Sequence, residues 1–112
     1  GNEYAESAPR NHQSFVELTH YKLRVLQASV LASKNALPGA SFVALKAHVK
    51  NAIQSHEQRK YTAALQSIRQ FLKEAEQGKY RPVAGGNPSG DHIMRGSNIE
   101  FMYSEKLIPF AP

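Results

Sequence analysis

The chain has 112 residues, 41% of them hydrophobic and 21% charged, enough for one core and too few for two. It contains no cysteine, which excludes disulfides, thiolate catalysis, Cys-ligated zinc and c-type haem attachment, and no apolar run nears the roughly 18 residues of a membrane span. A formal charge of +5 and a pI near 9.6 admit an anionic partner, yet Lys46, Lys50, Arg59, Lys60, Arg69 and Lys73 are scattered over polar faces of predicted helices. Such scatter describes a solvated surface better than a nucleic-acid footprint.

The first two residues are Gly1 and Asn2, with no basic-then-apolar leader, which reads as an excised or processed piece of a longer protein. Residues 1–13 are polar, carry Pro9 and lack periodicity, and are expected to be a flexible lead-in; residues 14–112 are read as one helical domain. Ser14 and Glu17 have the spacing of a capping box, so the first helix is predicted to start at Ser14 and run to about Ser33. Asn35 to Gly39, with Pro38, break the chain, and Ser41 is a candidate cap for the next helix.

In that helix Phe42, Leu45, Val49, Ala52, Ile53 and His56 recur at spacings of three and four, a core stripe. The pattern resets near Gln58 to Lys60. Tyr61, Leu65, Ile68, Leu72 and Ala75 then make a second stripe, and two such helices joined by about three polar residues must fold back as an antiparallel hairpin. Gly78 ends the third helix, and a Gly/Pro-rich loop is expected at 81–90. Asp91 is the candidate cap of a fourth helix from His92 to Leu107, with Ile93 or Met94, Phe101, Met102 and Ile108 toward the core, Gly96 costing it about 1 kcal/mol against Ala, and Pro109 stopping it. The prediction is an all-α fold, an up-and-down bundle of four helices built on the central hairpin.

Candidate chemistry is sparse. The string from Gly85 to His92 begins like a phosphate-binding loop, but Asp91 stands where a Lys would meet the phosphates, Pro88 removes a backbone donor, and no strand precedes it. Histidines at 12, 20, 48, 56 and 92 are never closer than eight residues, whereas two ligands on one helix face need three or four, so no metal or haem is expected and His56 is read as a core-edge histidine with a hydrogen-bond partner. No serine lies in a nucleophile elbow or a Ser-x-x-Lys element. Glu57, Glu74, Glu76, Glu100 and Glu105 are read as helix-surface carboxylates, and Tyr21, Tyr61, Tyr80 and Tyr103 as edge residues that bury a ring and keep the hydroxyl wet. The site prediction is therefore empty: no catalytic residue, cofactor or metal.

From Leu23 to Tyr80, about half of the chain, the order is a leading helix, a Leu-Pro-Gly break, a helix with Leu-x-x-x-Val, a short polar turn, Tyr-x-x-Ala, Leu-x-x-Ile-x-x-Phe-Leu and a closing Gly-Lys. This resembles the FIMAH domain, a small helical module of secreted or surface-attached bacterial proteins. Phe71 to Ala75 occupy the position of its name-giving motif, matching it at the Phe and at the small residue. The resemblance implies a non-catalytic accessory domain beside catalytic or adhesive domains, located outside the cell, with neighbouring domains or a protein or glycan as partners. Arg59-x-Tyr61-x-x-Ala64 also resembles the second-helix start of a tetratricopeptide unit, but only one copy is present where about three are needed. The alternative function is a free-standing basic helical module for an anionic partner, nucleic acid or glycan.

Overall fold

The structure, a computed structural model, describes residues 3–81 and 86–110, with side chains from His12 onward in those ranges. Among them stand four α-helices: α1 (Glu3–Ala32), α2 (Gly39–Glu57), α3 (Tyr61–Gln77) and α4 (Pro88–Phe101), the last running on into a π-helical turn at Met102–Leu107. A short 3-10 turn, Lys34–Ala36, joins α1 to α2. Each helix packs on the next and α4 closes back on α1, an up-and-down bundle as the periodicity predicts.

The hairpin of α2 and α3 follows the expected stripes. Leu45, Val49, Ala52, Ile53 and His56 are buried on α2, and Ala64, Leu65, Ile68, Phe71 and Ala75 on α3, with Phe42, Tyr61 and Leu72 partly buried against them. The turn between them is a Schellman closure, in which Lys60 N–H donates to the Ser55 carbonyl and Arg59 N–H to that of His56. Such a closure needs a left-handed residue, and Arg59 supplies it at φ 62°, where glycine is the usual occupant.

Four boundaries depart from the sequence reading. Helix α1 begins at Glu3, so the lead-in expected over 1–13 is helical from residue 3, and residues 1 and 2 lie outside the described range. Ser14 and Glu17 form no cap because Glu17 accepts from the Gln13 amide at 3.0 Å, one turn back, within a continuous helix. Ser41 does not cap α2 either. Pro38 (ψ 145°) swings the chain into the helix at Gly39, its carbonyl accepting from Phe42 N–H, and Ser41 falls in the first turn.

The loop expected at 81–90 also ends early. Asn87, not Asp91, caps α4: its side-chain oxygen accepts from Gly90 N–H at 3.0 Å, and Pro88 takes the first helical position, where a missing N–H is harmless. The core face of α4 is correspondingly His92, Gly96, Ile99, Met102, Tyr103 and Leu107, while Met94 and Phe101 face solvent. The π turn, in which Ile108 N–H donates to the Tyr103 carbonyl five residues back, shifts the inward stripe and carries both Tyr103 and Leu107 inside. Gly96 is where α4 meets α3: a Cβ there would lie 2.8 Å from Leu72 Cδ2 and 3.2 Å from Phe71 Cδ1. The propensity cost of that glycine accompanies a close helix approach.

Candidate functional site at two histidine–tyrosine braces

At each end of the bundle a buried histidine is held between a tyrosine hydroxyl and an acceptor on α1. His56, on the last turn of α2, is 3% exposed, with Nε2 at 2.9 Å from the Val16 carbonyl and Nδ1 at 2.8 Å from the Tyr103 hydroxyl. A carbonyl can only accept, so Nε2 carries the proton and the bare Nδ1 accepts from Tyr103 O–H. His56 thereby ties α2 to α1 and to the π turn. The partner expected for it from sequence is present, and there are two.

At the opposite end His92, in the first turns of α4, is fully buried. Ser33 donates its hydroxyl proton to the Val30 carbonyl at 2.8 Å, so its oxygen accepts from His92 Nε2–H at 3.3 Å, while Nδ1 accepts from Tyr80 O–H at 2.9 Å. Both histidines are thus neutral, in the same tautomer, and joined to α1 through Nε2. Burial pushes the pKa of each below the ordinary imidazole value, the Val16 carbonyl partly opposing at His56 and the Ser29 backbone at His92. Desolvation raises Tyr80 to about 12, with Glu74 adding, and raises Tyr103 further, with Tyr61 adding.

The surroundings differ. Around His56 the Tyr61 and Tyr103 rings lie at 5.4 and 5.7 Å and His20 stacks at 5.8 Å; His20 in turn meets the Glu57 carboxylate at 3.3 Å, with Arg24 at 3.7 Å. Gln13, Glu17, Arg59 and Tyr61 join these in lining a pocket of about 410 Å³. Beside His92, the Asp91 carboxylate accepts from Ser29 at 2.6 Å and Arg95 at 3.0 Å. Partial burial pushes that carboxyl up, but these two donors win and hold it below its usual value. Ser29, Ser33, Asn87, Asp91 and His92 face a pocket of about 400 Å³.

The remaining sequence candidates stay apart. His12 Nε2 reaches the Leu107 carbonyl at 3.2 Å, and His48 lies half-buried on α2. Glu100 pairs with Arg69 at 2.9 Å; Glu76 and Glu105 are exposed. The reading of the tyrosines as wet-tipped edge residues fails at Tyr103, which is wholly buried with its hydroxyl on His56, and at Tyr80, whose hydroxyl is taken by His92. Histidine and tyrosine are 47 residues apart in the first brace, a separation that leaves no local pattern to read. Among the described residues no group of three or more His, Cys, Asp or Glu side chains is placed to share a metal ion.

Chemically, an Nδ1 that accepts and an Nε2 that donates within the fold give each histidine a bracing role and leave neither nitrogen directed at a substrate. Phe71 and Ala75, at the ends of the segment that resembles the FIMAH motif, are both buried in the core. No family model matches the chain, and no curated protein or solved structure matches it either.

Proposed function

We propose that the chain is a non-catalytic accessory domain that works by binding, carried within a larger secreted or surface-attached bacterial protein. What supports the first half is that both ring nitrogens of His56 and of His92 are bonded inside the fold. A general base must direct a lone pair at a substrate, and these lone pairs hold helices together instead. The second half rests on the resemblance of Leu23 to Tyr80 to the FIMAH domain, whose setting beside catalytic or adhesive domains supplies the partners and the extracellular location.

The test is chemical. The chain treated with a fluorophosphonate should stay unlabelled at Ser33, and elemental analysis with a visible spectrum should find no stoichiometric metal or haem. Labelling of Ser33, or one equivalent of either group, overturns the reading. A second reading, a basic module for nucleic acid or an anionic glycan, is favoured by Lys46 and Lys50, exposed one turn apart on α2, with Arg59 and Lys60 exposed at its end. Heparin and DNA binding that persists at physiological salt would select it, whereas binding that vanishes as salt rises is generic counterion release.

A further inference from the structure

The outer crease between α1 and α4 carries the residues that hydrophobic patterning assigns to a core and the fold leaves in solvent. Met94 is 56% exposed and Phe101 51%; across from them on α1, Leu18 is 42% exposed and Tyr21 66%. Tyr21, Lys22 and Val25 of α1 face Met94, Arg95 and Asn98 of α4 around a cleft of about 190 Å³. Lys106 continues the line, with its Nζ 5.6 Å from the Phe15 ring and 5.9 Å from the Phe101 ring, one from each side of the crease. From Phe15 to Val25 the apolar run is about 15 Å long, roughly three helical turns. Apolar side chains gathered in this way on two adjacent helices mark an interaction surface.

We propose that this crease docks one amphipathic helix of a separate protein, apolar along one stripe and flanked by Asp or Glu. The shape is that of a helix-in-groove site: two antiparallel helices leave a trough along which anchors at i, i+3, i+4 and i+7 of a third can seat. The charge selects the flanks. Lys22 and Lys106 stand at the rim, Arg95 is already held by the Asp91 carboxylate, and the chain as a whole carries +5. Acidic flanks complement that field. A second copy of this chain does not, because a two-fold axis through the crease sets Lys22 and Lys106 against their own equivalents. A membrane surface is flat, whereas the crease is concave and rod-shaped. This inference rests on the reading of the chain as a binding domain.

The experiment is a selection. A displayed library of helical peptides about five turns long, randomised over their surface, is panned against the intact chain and against a Tyr21→Glu/Met94→Glu variant. Peptides with apolar residues at i, i+3, i+4 and i+7 and Asp or Glu beside them should be enriched on the intact chain only. Their affinity should fall about tenfold or more for the double variant and also for Lys22→Glu, with helical circular dichroism and melting temperature unchanged because all three positions are outside the core. Peptides that bind both proteins equally would put binding on another face, overturning the crease while leaving the binding-domain reading. Enrichment without acidic preference, or no enrichment, also overturns the proposal. So does a dimer that Met94→Glu dissociates, or binding to phosphatidylserine vesicles that the same substitution abolishes.

Discussion

Where α2 turns into α3, His56 sits among helices on every side: its tyrosine comes from the π turn, its acceptor from α1, and a second histidine is stacked on it. At the opposite end His92 has the same tautomer and the same order of bonds, but its tyrosine comes from the segment after α3, and the brace borders an open pocket. Equal hydrogen bonds therefore hold unequal weight. What a brace is worth depends on what is left when it breaks, and an orphaned nitrogen costs its full desolvation only where water cannot reach it. The first end keeps water out with aromatic rings; the second keeps a half-buried Tyr80 and an opening beside it.

The apolar layer behind the first end sets the scale. Leu65, one turn from Tyr61 and 6% exposed, should cost about 3 kcal/mol as Leu65→Ala by chemical denaturation, through lost transfer energy and a residual cavity. A cost under about 1 kcal/mol would mean that this end is held by its polar brace alone. Tyr103→Phe strands His56 Nδ1 in the interior and should cost about 2 kcal/mol.

Acid should weaken both ends. The folded pKa of each buried histidine lies below its unfolded value, so as pH falls the unfolded chain takes up protons first. Stability is then level above about pH 6.5, declines below it by up to about 1.4 kcal/mol per pH unit for each histidine, and levels off below the folded pKa. Asp91 acts in the same direction at lower pH, its contribution being present above the ordinary carboxylate pKa and lost as pH falls through the depressed one. Denaturation midpoints between pH 8 and pH 5, as round bounds on the imidazole range, measure the histidine part; a flat profile would mean that neither brace needs a neutral ring.

Tyr80→Phe sharpens the contrast most directly. Water entering from the pocket can replace the lost hydroxyl at His92, so the cost should be about 1 kcal/mol or less, half that of Tyr103→Phe. Equal costs for the two substitutions would erase the distinction between the ends. The smallest effect belongs to Arg69→Ala, whose ion pair with Glu100 is solvent-exposed and should move stability by no more than about 0.5 kcal/mol.

The hairpin of α2 and α3 could be read from sequence because its information is local: apolar spacing inside each helix and a polar reset between them. His56 was expected at the core edge with a partner for the same reason, since it falls on the stripe of Leu45, Val49 and Ala52. The braces could not be read, because which tyrosine meets which histidine is fixed only when four helices close. The errors at Ser14, Ser41 and Asp91 share another cause. Each is a good capping residue one to several positions inside a helix that another group starts, Pro38 and Asn87 in the latter two cases. Met94 and Phe101 were misassigned to the core because a single 3.6-residue period was carried through α4, and the π turn breaks it.

That turn can be viewed as an insertion that the helix has absorbed. One residue more than an α-helix needs is folded into Met102–Leu107, and the inward placement of Leu107 relies on it. Deleting one residue, Ser104 for instance, would give a more regular helix and yet turn everything after it by about 100°. Leu107 and Ile108 would rotate off the core, and the Leu107 carbonyl would leave His12. At this place in the chain length is conserved by geometry: a substitution changes one side chain, whereas a deletion changes the face of a whole terminus.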